Sequence, residues 1–121
     1  MAASYPRKQT ITVTTAAGAA TVYSTAIRGE INWIKFVSTD LDAGTDVAVT
    51  SEDSGQLILS PANIGGAAVS TFFYPAVVHN DNLTEAAVAA FTKIAIANER
   101  IKFVFSAAVG AQTGSIVLCW G

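Results

Sequence analysis

The residues able to do chemistry are few and scattered. His79 is the single histidine and Cys119 the single cysteine. A nucleophile and base pair must therefore join these two, or join His79 to a serine. Cys119 alternates with Leu118 and Trp120 in a strand pattern, which makes it a packed thiol rather than a nucleophile. His79 stands beside the turn residues Asn80, Asp81 and Asn82 and reads as a loop side chain. One His and one Cys cannot close a tetrahedral zinc site. Asp40, Asp42 and Asp46, with Gly44, form D-x-D-x-G-x-D. Alternate carboxylates around a glycine turn can wrap a calcium ion, so these three are the candidate metal ligands. The glycine comes one place early for an EF-hand loop, a distal glutamate is missing and no helices flank the run. The expectation is a solvated loop without metal. The chain lacks G-x-x-x-x-G-K-S/T and lacks G-x-G-x-x-G after a strand, so a nucleotide phosphate has no cradle. Trp33, Trp120, Tyr5, Tyr23 and Tyr74 are the candidates for a sugar-stacking platform, but most occupy apolar alternating positions that suit a core. No cofactor and no catalysis are expected.

The elements that must position these residues read as strands. The final stretch, Asn98 to Gly121, places Ile101, Phe103 and Phe105 on one face of a strand. Ile116, Leu118 and Trp120 do the same on the next, since side chains two apart share a face. A Gly-containing loop between them predicts a hairpin. Thr10 to Thr15 and Thr21 to Ile27 flank Ala16-Ala17-Gly18 and predict a second hairpin. Ile31 to Thr39 is the strongest interior strand. Its alternation puts Ile31, Trp33 and Val37 on one face with Lys35, and Ile34 and Phe36 on the other. Shorter strands follow around Val47, Leu57, Phe72 and Lys93. Asn82, with Glu85 three residues on, can cap a short helix through Ala86 and Ala90. The sum is about eight strands and at most one short helix, an all-β antiparallel sandwich or jelly roll. Residues 1–8 read as a flexible arm and 9–121 as a single domain.

Composition narrows the partners. Charged residues are 13% of the 121-residue chain, against roughly 25% in ordinary soluble domains. Hydrophobic residues are 51% and mean hydropathy is +0.44. Contact with other subunits is one way to cover that surface. A net charge of −2 without a basic stripe does not suit nucleic acid. A lone cysteine allows no internal disulfide and fits assembly in a reducing compartment. The start of the chain has no apolar signal region before Arg7 and Lys8, and no apolar run has the length of a membrane span.

Two stretches together resemble a family of tailed-bacteriophage head decoration, or cement, proteins: Ile11 to Leu59 and Ile94 to Gly121. The likeness rests on the T-V-T-T opening with its Gly turn and on Arg28-Gly29-Glu30-Ile31 leading into a long strand. It rests also on the Thr39-Asp40 loop with Gly44 and Asp46, on Asn98-Glu99-Arg100-Ile101-Lys102, and on a last strand ending Trp120-Gly121. Pro61 to Thr92 departs from the pattern. The resemblance implies a virion structural protein, assembled in the host cytoplasm and bound outside a capsid. Its implied partners are the major capsid protein and other copies of itself, as a dimer or trimer, with neither nucleic acid nor membrane. Tyr5, Arg7 and Lys8 in the arm are the candidate partner-binding residues, an amphipathic anchor beside two cations. A carbohydrate-binding or tail-associated adhesion module is the alternative, favoured by an exposed row of aromatics.

Overall fold

The computed structural model describes residues 6–65, 70–81 and 86–121. Among these residues eleven strands run in order: β1 (Arg7–Thr14), β2 (Ala20–Tyr23), β3 (Ile27–Ser38), β4 (Asp46–Ser51), β5 (Leu57–Leu59) and β6 (Ser70–Phe73) come first. They are followed by β7 (Ala76–Asp81), β8 (Ala86–Lys93), β9 (Ala95–Glu99), β10 (Ile101–Ser106) and β11 (Thr113–Trp120). One sheet has the order β1-β11-β3-β6, with β9 paired to the start of β3. The second has the order β2-β10-β4-β5, and β7 pairs with β8 in a separate ribbon. Every named pairing is antiparallel. The fold is the expected all-β sandwich, and no helix occurs among the described residues.

The two main sheets pack face to face through the alternating residues of their inner faces. Ile34, Ile116 and Leu118 come from one sheet, and Val47, Val49, Phe103 and Phe105 from the other; all are buried. Phe36 ties the layers together. Its ring meets Phe103 at 6.5 Å and Phe105 at 6.3 Å, both edge to face, and Phe73 of its own sheet at 5.6 Å. Such crossed aromatic pairs add to the burial of large apolar area. Trp120 is 8% exposed and belongs to this core, because β11 lies between β1 and β3.

Both predicted hairpins are replaced by crossovers. β10 pairs with β2 and β4 while β11 pairs with β1 and β3, so the last two strands face each other from opposite sheets. β1 and β2 are split between the sheets in the same way. Each of these strands has one apolar face, and stacking face to face buries both faces. Side-by-side pairing leaves that task to other elements.

Three further expectations change. Ala86 to Ala90 lie in β8, paired with β7, instead of a helix. Cross-strand pairing overrides alanine's helix preference there, and the proposed caps Asn82 and Glu85 lie outside the described residues. The arm does not extend to residue 8. Arg7 and Lys8 open β1 and pair with Trp120 and Cys119, where the free edge of β11 offers ladder partners. Finally, Ile31 turns inward with Ile34 and Phe36 rather than outward with Trp33. Cys119 pairs with Trp33 and Trp120 with Ile31, so Asn32 is an extra residue in β3, a bulge that flips the alternation.

Candidate docking face

Cys119 is buried and its Sγ lies 3.9 Å from the Asn32 amide nitrogen, with no base in contact among the described residues. His79 falls in β7, and its side chain lies outside what the structure describes. Tyr5 also lies outside the described residues.

The acid run Asp40, Asp42 and Asp46 is spread over three separate tasks. Asp40 Oδ1 accepts the Thr113 backbone N–H at 2.6 Å and its hydroxyl at 3.1 Å. Asp42 Oδ2 accepts the Gly44 N–H at 3.0 Å, closing its own turn, while Asp42 O accepts the Thr45 hydroxyl at 2.7 Å. Asp46 Oδ1 accepts the Asn63 N–H at 3.0 Å. Each carboxylate is aimed at a different backbone donor. Among the described residues no group of three or more His, Cys, Asp or Glu side chains gathers as a metal site would require.

Glu99 is the acid that the sequence hides. It is nearly buried, and its Oε1 accepts the N–H groups of Asp53 at 2.9 Å and Ser54 at 3.0 Å. Its Oε2 accepts the Ser54 hydroxyl at 2.8 Å, and that hydroxyl also meets Ser51 Oγ at 2.8 Å. The Ser54 N–H and then the Ser54 hydroxyl hold the Glu99 carboxyl below the usual glutamate range. Beside it, Glu52 takes a two-point bond from Arg100, with Nε to Oε2 at 2.6 Å and Nη2 to Oε1. That bond lowers Glu52 and raises Arg100. The Arg100 guanidinium lies 4.1 Å from the Tyr23 ring centroid. The cluster pins the turn after β4 to the turn between β9 and β10. The recorded bonds of Glu99 and Glu52 all run to other groups of the chain, so the cluster holds these two turns together.

One surface open to a partner is the outer face of the five-stranded sheet. Successive rows run Lys8, Cys119, Trp33; then Thr10, Val117, Lys35, Phe72; then Thr12, Ser115, Val37, Ser70. Trp33 is half-buried and meets Phe72 at 5.3 Å between centroids, with the rings crossed at 71°. Phe72 is 47% exposed. Lys35 Nζ lies 5.2 Å from the Phe72 centroid, a cation–π contact that fixes the Lys35 chain along the face. Below Trp33, the bulged Asn32 accepts a bond from Lys93 Nζ at 2.9 Å. Lys35 and Lys93 thus flank the aromatic pair, and Lys8 stands on the same face two strands from Trp33. Among the described residues the one ion pair joins Glu52 and Arg100, so none of the three is matched to an acid there.

The other aromatic candidates disperse. Trp120 is in the core, Tyr23 lies under Arg100 on the other sheet, and Tyr74 is 70% exposed just past β6. Of the residues first suspected of binding a partner, Lys8 lies on the outer face, but as a strand residue, and Arg7 sits opposite Trp120. The alternation places Lys35 beside Trp33, whereas nothing in the spacing marks Phe72 or Lys93 as part of this face. The parity of β3 and β6 carries part of that signal, since Lys35 shares its side with Trp33, and the rest depends on the pairing of β6 with β3.

No family model and no curated protein matches the chain. A solved structure described as "Bacillus endospore appendages form a novel family of disulfide-linked pili" is similar at 15% identity, with a TM-score of 0.40, over 96% of this chain and 86% of that one. A likeness at that level carries no argument about partners or assembly.

Proposed function

We propose that this chain is a virion structural protein, a decoration or cement protein that binds the outside of a phage head and bridges major capsid protein subunits. The observation that carries the docking half of this reading is the outer face of the five-stranded sheet, where Phe72 stands 47% exposed against Trp33. A rigid sheet that presents aromatic side chains in fixed positions suits association without a conformational step. The capsid half rests on the sequence resemblance. Bridging works through repetition: many modest contacts over a lattice sum by avidity. A role without a reaction is part of this reading, and the internal bonding of the cluster around Glu99 supports it.

A carbohydrate-binding or adhesion role is the rival, favoured by the exposure of Phe72 and Tyr74. Sugars stack on a flat ring face, and the 71° crossing of Trp33 and Phe72 presents no shared plane. The docking reading therefore has the better geometry.

The test is a heating experiment on shells assembled from the major capsid protein encoded in the same genome. Decorated shells are expected to rupture at a higher temperature than bare ones. Equal rupture temperatures, together with binding on a glycan array, would replace the cement reading with adhesion.

A further inference from the structure

We infer that the outer face of the five-stranded sheet is the docking surface, and that its partner is an acidic protein surface which places an apolar side chain between carboxylates. The inference deepens the docking reading above and rests on it. Trp33 and Phe72 form the apolar centre. Lys8 lies across Cys119 from Trp33, Lys35 lies opposite Phe72, and Lys93 is held against Asn32 beside Trp33. Lys35 thus touches the aromatic pair and Lys93 is tied to the residue next to Trp33, while Lys8 stands two strands from Trp33 on the same face. Among the described residues of these strand rows there is no Asp or Glu. The only ion pair among the described residues is on the other sheet's side of the molecule, between Glu52 and Arg100. Glu30 is exposed farther along β3, two residues before Asn32, and even with it the three lysines leave the described face positive, on a chain whose net charge is −2. Opposed charge across an interface steers the encounter and fixes its register, while the buried aromatic centre supplies the affinity.

The same charges argue against the other occupants. Two copies meeting face to face would bring lysines against lysines, which like-charge repulsion opposes. Nucleic acid is recognised through many phosphate contacts and favours arginine's forked guanidinium, whereas this face offers three lysines and no arginine in its rows. An acidic polypeptide needs only a few carboxylates at separated points, which three lysines spread over this face can meet.

Two measurements test the inference. The first compares binding to bare shells, assembled from the major capsid protein of the same genome, for the wild type, for the triple variant Lys8→Glu, Lys35→Glu, Lys93→Glu, and for Lys102→Glu. Lys102 lies in β10 of the other sheet and serves as a charge control. The triple variant is expected to bind at least about tenfold more weakly, and Lys102→Glu as the wild type does. Binding of the wild type is expected to weaken as salt is raised. Thermal melts show whether each variant is folded. The second measurement follows the Trp33 indole N–H signal by NMR during titration with a capped peptide of alternating glutamate and phenylalanine. Its lysine and phenylalanine counterpart, and heparin, are the comparisons. The acidic peptide should move the signal and the basic one should not.

If the wild type fails to bind shells, the decoration reading falls and the peptide titration alone decides the face. A Trp33 signal unmoved by the acidic peptide overturns the inference. So does a triple variant that binds shells like the wild type, or an equal response to heparin, which would point to a polyanion. Self-association that the triple variant abolishes, without any peptide response, would assign the face to a second copy instead.

Discussion

Glu99 holds Ser54 at two points: its Oε1 accepts the Ser54 backbone N–H at 3.0 Å and its Oε2 accepts the Ser54 hydroxyl at 2.8 Å. The carboxylate thereby ties the β4–β5 turn to the end of β9. Its pKa is lowered by those bonds, so the folded state favours the charged form. A lowered acid pKa stabilises the fold above the ordinary glutamate value and loses that contribution as pH falls through the folded value. Glu99→Gln is therefore expected to destabilise the protein at pH 7. The gap to wild type should close as pH drops below 4.5, the ordinary glutamate value. Urea denaturation of both forms at pH 7 and pH 3 measures it. An unchanged gap at pH 3 would mean that packing, not charge, is what Glu99 contributes.

The two tryptophans should respond differently to truncation. Trp120 is buried between the sheets, and Trp120→Ala is expected to cost about 3–5 kcal/mol, the usual loss for a large core aromatic. Trp33 stands on the outer face against Phe72, so Trp33→Ala should cost under about 2 kcal/mol. Chemical denaturation compares them directly, and equal losses would contradict the assignment of Trp33 to the outer face.

Gly65 is irreplaceable for a reason of space. A Cβ built there would stand 1.7 Å from the Asp42 carbonyl oxygen, and the obstacle is backbone. Gly65→Ala must therefore move the Asp42 loop and is expected to cost about 3 kcal/mol. A variant with unchanged melting temperature would show that the two segments separate freely.

The same loop bears on calcium. Asp42 Oδ2 is engaged with Gly44 N–H, and Asp40 and Asp46 are turned to other donors. Calorimetric titration is expected to show no calcium binding below about millimolar, the weak end of oxygen-cage sites. Asp42→Asn should alter stability alone. A micromolar site lost in that variant would reverse this expectation.

Much of the fold is legible in period-2 alternation. Phe103 and Phe105, like Ile116 and Leu118, announce their buried faces. Which sheet each strand joins is not legible, because one apolar face is equally well buried by a layer opposite or by a strand folded back. Hence β10 and β11 read as a hairpin. The bulge at Asn32 leaves no mark in composition, yet it decides that Ile31 faces inward. Ala86 to Ala90 carry a helix former's residues and a capping pattern, and only the pairing with β7 makes them a strand. Glu99 finds Ser54 from 45 positions away, a distance no local pattern spans.

The start of the chain separates a stability role from a binding role. Arg7 pairs with Trp120 and Lys8 with Cys119, so the first two rungs of the β1–β11 ladder belong to residues otherwise assigned to an arm. A chain beginning at Pro6 keeps every rung. A chain beginning at Gln9 loses two, leaving the end of β11 as an open edge over the Trp120 end of the core. Each lost ladder bond is worth about 0.5–1.5 kcal/mol net, so the second truncation is expected to lower stability by about 1–3 kcal/mol. It also removes Lys8 from the outer face. Restoring Lys8 as alanine, in a chain that keeps Pro6 and Arg7, divides the effects. The rungs return and the melting temperature recovers, while binding to bare shells stays weaker than in the wild type. Full recovery of shell binding would assign the start of the chain to stability alone.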